Sequence, residues 1–348
     1  MKTERNGGVP RALMFMGIAT AFSFCVSSQV LAQNTTWKSV ALIRDSKQTT
    51  EKWAWLNEEL QERTDGALSL DLSTFAELGL TGTEFIRFMS TGLVDAGELI
   101  TGYVSGEVPI IEGVQMMGVY DGLDEAEQAY DAWTEAVVAP NADRIGGTPV
   151  ASFAFANMYL WSTFPMEDLG SLEGKKVRVF STAQADYLTE LGAEPVTIPL
   201  AEVPQALERG VVDAVITGPD VANRTQLYEV VDYVTDLMFG PGAGWVVVSD
   251  RAMSRLDENT RTELEGVWDE LQTRGWELAN EENQTNLDAV IEQGVEAKVP
   301  VPDEWKPRLQ EIAKEVVLPA WVDRAGGDAA VTAFNDAIAP IVGVEAGE

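Results

Sequence analysis

Thr91-Gly92-Leu93-Val94-Asp95-Ala96, followed by Ile100-Thr101-Gly102, returns later in the chain as Arg209-Gly210-Val211-Val212-Asp213-Ala214, followed by Ile216-Thr217-Gly218. In each copy a helical segment runs into a glycine able to take the left-handed backbone, a short apolar run of strand length follows, and a Thr-Gly turn closes the unit. The echo is either a chance recurrence of a common strand entry or the mark of two lobes that share one plan. Outward from the first copy, Trp53, Leu56 and Leu60 lie on one helical face, with Gly66 as the stop. Leu68, Leu70 and Leu72 alternate with Ser69 and Asp71 as a half-buried strand. Helices that repeatedly feed strands imply an α/β class with a largely parallel sheet. Ligands of such sheets sit beyond the carboxyl ends of the strands, which is where Thr101 and Thr217 fall.

Composition removes whole classes of function. The chain of 348 residues has 24 Lys plus Arg, 56 Asp plus Glu, one Cys and no His, for a formal charge of −32. Without histidine there is no Ser-His-Asp or Cys-His nucleophile and no imidazole metal site. So negative a surface argues against nucleic acid as a partner. It is read as a solvated face, tolerated most easily in salty medium.

Residues 1–32 have the pattern of a secretory signal peptide: Lys2, Arg5 and Arg11 precede the apolar run Ala12 to Val26, and Val30 and Ala32 suit cleavage near Ala32. The apolar run is too short to span a bilayer. The expectation is therefore an exported, periplasmic protein. The chain beyond the cleavage point contains no cysteine, which excludes disulfide and thiolate chemistry there.

From Asp257 to Gln293 the sequence is Glu-rich and free of proline, with Leu264, Trp268, Leu271, Leu278 and Leu287 as a sparse apolar stripe. This predicts one very long helix, or two with a break near Gly275. An unbroken helix of that length exceeds one small lobe and would bridge both.

Few constellations carry chemistry. Gly170-Ser-Leu-Glu-Gly174-Lys175 has the wrong glycine spacing for a phosphate loop and no hydroxyl after the lysine. Carboxylate pairs are uninformative among so many acids, and no compact Asp-rich loop calls for a metal, so neither metal nor cofactor is expected. The distinctive feature is a cation inside an apolar strand, Val177-Arg178-Val179-Phe180. A buried guanidinium needs an anionic partner, either one of the chain's own carboxylates or a ligand carboxylate held by its planar fork. Phe155, Tyr159, Trp161 and Phe164 precede this strand as an aromatic cluster, which serves either core packing or the wall of a cleft.

Leu172-Glu-Gly-Lys-Lys-Val-Arg178-Val, then Leu191-Gly-Ala-Glu-Pro-Val-Thr-Ile-Pro199, then Glu202-Val-Pro-Gln-Ala-Leu-Glu-Arg-Gly-Val-Val-Asp213-Ala, resembles the solute-binding proteins of TRAP transporters, the DctP type. The resemblance implies a two-lobed, periplasmic-binding-protein-like α/β fold with a hinge and a long helix spanning both lobes. Lobe I would take residues 33–153 and about 243–280, lobe II residues 154–242 and about 281–348. It also implies hinge closure around a small organic acid, delivery to a TRAP membrane permease, and no enzymatic activity. By matching position, Arg178 is the carboxylate clamp. Thr217 stands where many sialic-acid-type members carry a ligand-binding Asn, and Thr101 and Tyr103 fall near the contact turn of the first lobe. A second arginine, which the sialic-acid type places before the clamp, is replaced here by Asn157-Met158-Tyr159. This favours a smaller or more apolar monoacid, aromatic if Tyr159, Trp161 and Phe180 flank it. Trp245 follows the Gly240-Pro-Gly-Ala-Gly244 turn and reaches either the cleft or the hinge core. The alternatives are a binding protein for an ABC permease or a sensor, and a periplasmic enzyme that uses carboxylates.

Overall fold

The computed structural model describes residues 35–347; the leader expected over residues 1–32 lies outside them. Eleven strands are present among the described residues: β1 Thr35–Ala41, β2 Leu68–Thr74, β3 Ala96–Ile100, β4 Thr148–Asn157, β5 Tyr159–Ser162, β6 Lys176–Val179, β7 Glu194–Thr197, β8 Ala214–Thr217, β9 Tyr233–Thr235, β10 Pro241–Val248 and β11 Glu296–Lys298. They form two sheets, ordered β2-β1-β3-β10-β4 and β11-β9-β5-β8-β6-β7.

The echo is structural. Leu93 donates its amide to the Phe88 carbonyl at 3.0 Å, and Val211 donates to the Ala206 carbonyl at 2.8 Å, the same long bond wrapping the end of each helix. The glycine inside each wrap is left-handed, Gly92 at φ 73° and Gly210 at φ 64°. In both sheets the strand after the glycine is flanked by one parallel and one antiparallel neighbour: β3 by β1 and β10, β8 by β6 and β5. The register follows suit, with Val40 opposite Gly97 in the first sheet and Arg178 opposite Val215 in the second.

One sequence expectation needs correction. The sheets are mixed rather than largely parallel, because β5 and β10 enter from the other half of the molecule instead of through a helical crossover. The chain crosses between the two sheets at two short stretches before the long helix. One is Met158, between β4 and β5, and the other is the stretch Asp236–Gly240, between β9 and β10. They run side by side, the Met158 amide donating to the Gly240 carbonyl at 2.8 Å.

A third connection is the helix Glu258–Glu292, 35 residues without interruption, which leads from the first sheet to β11. It packs on β4 and on the helices Ala54–Arg63 and Pro219–Arg224, so it touches both halves. Gly275 is no break: a β-carbon there would lie 2.7 Å from that of Phe153, so glycine is what lets the helix lie close on β4. The side chain of Gln48 closes this junction by donating to the carbonyls of Ala154 at 2.6 Å and Gly275 at 2.7 Å. The C-terminal helices, expected with the second lobe, pack also on residues from the first half of the chain, with Trp321 against Trp133, ring centroids 6.1 Å apart. No helix among the described residues is long and apolar enough to cross a membrane.

Candidate functional site

Alternation along β6 puts Val177 and Val179 on the core face and turns Arg178 to the other, where it is 2% exposed. Arg178 donates Nε to the Ile198 carbonyl at 2.9 Å and Nη1 to the Ile216 carbonyl at 3.0 Å, just past β7 and within β8. Two of the five guanidinium donors are thus spent on anchoring the fork, and no carboxylate of the described residues pairs with it. Burial holds the guanidinium below the ordinary arginine range, and the nearby Tyr103 phenol partly offsets this. The Phe180 ring lies 5.1 Å from the guanidinium carbon and meets Tyr103 edge-on at 5.8 Å.

These residues face a cavity of about 40 Å³, whose walls come from the carboxyl ends of strands in both sheets. The first sheet contributes Leu42, Ile43, Ile100, Tyr103 and Phe155; the second contributes Arg178, Phe180, Leu200, Thr217, Gly218, Asp220 and Val221. Met158, at one crossing, and Gly242, at the start of β10, complete it. A larger outer cavity of about 350 Å³ adjoins it and shares Leu42, Ile43, Tyr103, Leu200 and Val221. By the common register Leu42 and Phe180 occupy corresponding places, and Val40 stands where Arg178 stands. One half brings the cation and the other an apolar surface.

Of the residues singled out from sequence, Arg178, Phe180, Tyr103, Thr217 and Phe155 come together at the inner cavity. Thr101, Trp245, Trp161, Tyr159 and Phe164 line neither cavity. Thr101 is fully buried, its hydroxyl donating to the Ala243 carbonyl at 2.9 Å and lying 3.1 Å from the Tyr130 hydroxyl. Trp245 donates its indole N–H to the Thr134 hydroxyl at 2.7 Å and stacks on Tyr130 in the core. Trp161 lies on the same face of the second sheet as Arg178, both in register with Val215 of β8, but it is buried in an apolar core there and donates to the Thr217 carbonyl at 2.9 Å. Tyr159 accepts from Asn283 of the long helix at 3.4 Å. Apolar packing around β5 and β10 encloses these aromatics in cores.

Sequence reasoning missed Asp220. It follows Pro219 at the start of a short helix, is 1% exposed, lines the inner cavity, and has no hydrogen-bond partner on either carboxylate oxygen. Burial pushes its pKa up to about 6, against the opposing influence of Arg224 and of the Val221 and Asp220 amides, which lie close to the carboxylate without reaching hydrogen-bond geometry. It missed also the support beneath Leu42. Glu98 accepts from the Leu42 amide at 2.7 Å, from the Trp53 indole at 2.7 Å and from Lys52 Nζ at 3.2 Å, all of it buried. No cluster of three or more potential metal ligands occurs among the described residues.

Two sheets of one plan, joined by adjacent crossings and a shared helix, with a buried cation facing a cavity between their strand ends, define a two-lobed solute-binding protein. Residues 42–319 match the model of the DctP family, bacterial extracellular solute-binding protein family 7, and the chain belongs to that family. Among its relatives, a solute-binding protein of Albidiferax ferrireducens is 26% identical over 275 residues, covering 76% of this chain and 78% of that one. The crystal structure of DctP7, a Bordetella pertussis extracytoplasmic solute receptor binding pyroglutamic acid, superposes with a TM-score of 0.80 at 25% identity, over 87% of this chain and 99% of that one. A TRAP periplasmic solute-binding protein from Desulfovibrio salexigens with bound orotic acid shares the fold, with a TM-score of 0.81 at 17% identity, over 88% and 99% of the two chains.

Proposed function

We propose that this protein is the periplasmic receptor of a TRAP transporter and captures a small cyclic carboxylic acid between its lobes for delivery to the membrane permease. The observation that carries the reading is Arg178, buried, anchored by two strand carbonyls, unpaired with any described carboxylate, and facing a cavity. A cation so placed offers its remaining donors to a ligand carboxylate, and exclusion of water strengthens the pair. Phe180, Tyr103 and Phe155 supply flat walls suited to a ring, which fits the pyroglutamic acid bound by the Bordetella relative. The proposed lobes are residues 33–153 with about 243–280 and residues 154–242 with about 281–348. They close about Met158 and Asp236–Gly240, with the long helix as their common support. The leader at residues 1–32 would direct export, and nothing in the site calls for catalysis.

The test is thermal unfolding of the protein against a panel of cyclic, keto, hydroxy and sugar acids, each beside its neutral amide. An acid at 100 times its Kd stabilises by about 2.7 kcal/mol and raises Tm by a few degrees. Shifts confined to acids, and lost in Arg178→Ala, are expected; equal shifts with neutral amides would overturn the reading.

A further inference from the structure

Resting on the carboxylate-capture reading, the geometry points to Asp220 as the residue that selects, among small acids, one carrying a hydrogen-bond donor, N–H or O–H, away from its carboxylate. Asp220 and Arg178 line the same cavity without pairing with each other, so each has bonding capacity left for an occupant. The nearest cation along the chain does not quench Asp220. Arg224 is committed elsewhere, donating to the Asp45 carbonyl and to Glu282 at 3.5 Å. Gly218 is what admits the carboxylate to this position: a β-carbon there would stand 2.5 Å from Asp220 Oδ1 and 3.2 Å from the Met158 methyl.

A buried carboxylate with both oxygens unpartnered is costly, and the cost is recovered only by a donor from the ligand. An acid that lacks such a donor leaves Asp220 unpaired and forgoes the affinity that bond supplies. The acceptor is anionic, so the donor is either a neutral amide or hydroxyl, or an ammonium.

The experiment is calorimetric titration of the wild type, Asp220→Asn and Arg178→Ala with three ring acids of similar size: pyroglutamate with its lactam N–H, tetrahydrofuran-2-carboxylate without a donor, and proline with an ammonium. The wild type is expected to prefer a donor-bearing acid over the donor-free one by about 10- to 100-fold, the range for a bond to a charged group. Asp220→Asn should shrink that preference to a few-fold. Preference for pyroglutamate over proline identifies a neutral donor, and the reverse an ammonium; either supports the inference. The comparison within the wild type stands even if the variant folds poorly. Equal binding of all three acids, still lost in Arg178→Ala, would overturn the role of Asp220 while leaving carboxylate capture in place. So would a donor preference unchanged in a folded Asp220→Asn. Binding unaffected by Arg178→Ala would instead remove the carboxylate reading itself.

Discussion

Asp95 and Asp213 hold the same position in the two halves of the molecule. Asp95 accepts from the Lys38 amide at 3.1 Å and returns its own amide to the Lys38 carbonyl at 2.8 Å; Asp213 does the same with Lys176, at 2.8 Å both ways. Each aspartate fixes the start of one strand against its parallel neighbour, and so sets the register that carries the strand ends to the cavity. Arg178 is two residues beyond Lys176, and Val40 two beyond Lys38.

Arg178→Lys keeps the charge but gives up the fork and its bonds to the Ile198 and Ile216 carbonyls. The affinity for a bound acid is expected to fall by roughly 10- to 100-fold, as for the loss of one hydrogen bond to a charged group, while Tm without ligand moves by only a few degrees. Titration calorimetry beside a melting curve separates the two effects. A loss of Tm as large as the loss of binding would mean that Arg178 is chiefly structural.

Asp220 binds its proton more tightly in the folded protein than in the unfolded chain, at about 6 against 3.8. Between those values the native state holds more protons, so this group makes stability fall as pH rises through about 4 to 6. Asp220→Asn removes the dependence. Without ligand the variant is expected to be the more stable at pH 7, by roughly 2 to 3 kcal/mol, and to converge with the wild type near pH 4. Urea unfolding at the two pH values measures the difference, and a destabilised variant at pH 7 would show that Asp220 has found a partner.

Burial holds the Lys52 pKa down at about 8, against the pull of Glu98, and Lys52 Nζ also lies 3.4 Å from the centre of the Phe153 ring. Glu98→Gln leaves that cation without its counter-charge and is expected to cost about 3 to 5 kcal/mol at neutral pH. Loss of the carboxylate lowers the lysine pKa further, so the variant sheds the proton at a pH where the wild type retains it. The gap between variant and wild type therefore narrows as pH rises towards 8. Denaturant midpoints at pH 6, 7 and 8 would show the trend, and a gap independent of pH would contradict it.

Gly266 and Gly275 lie on the same long helix, where alanine is ordinarily worth about 1 kcal/mol more than glycine. Nothing stands within 4 Å of a β-carbon at Gly266, whereas one at Gly275 would collide with Phe153 at 2.7 Å. Gly266→Ala should gain about 0.5 to 1 kcal/mol and Gly275→Ala should lose about 1 to 3 kcal/mol, opposite signs for one chemical change. Urea midpoints decide it; a gain at both positions would show that β4 yields.

The parts legible in the sequence were those with a local physical signature. Gly92 and Gly210 announced the ends of helices, the strand beginning at Leu68 showed its alternation, and Arg178 stood out because a guanidinium between two valines has few places to go. Strand direction has no such signature, so the antiparallel entry of β5 and β10 could not be read. Asp220 was invisible for a different reason. An aspartate after a proline at a helix start is an ordinary solvated residue, and with 56 acids in the chain nothing marks the one that is buried. Trp161 and Trp245 line neither cavity. An aromatic suits a core as well as a cleft, and what decides between them is the packing around each ring: Trp161 shares a sheet face with Arg178 yet is enclosed by apolar neighbours.

The register that equates Val40 with Arg178 has a mechanical consequence. Every charged side chain lining the inner cavity belongs to the second half, and the first half meets it with hydrocarbon and one phenol. Parting the halves would thus lift a lid and leave the hook untouched. An acid on Arg178 would remain attached to one half of an open receptor, and its hand-over would require a rival for the guanidinium as well as the opening itself.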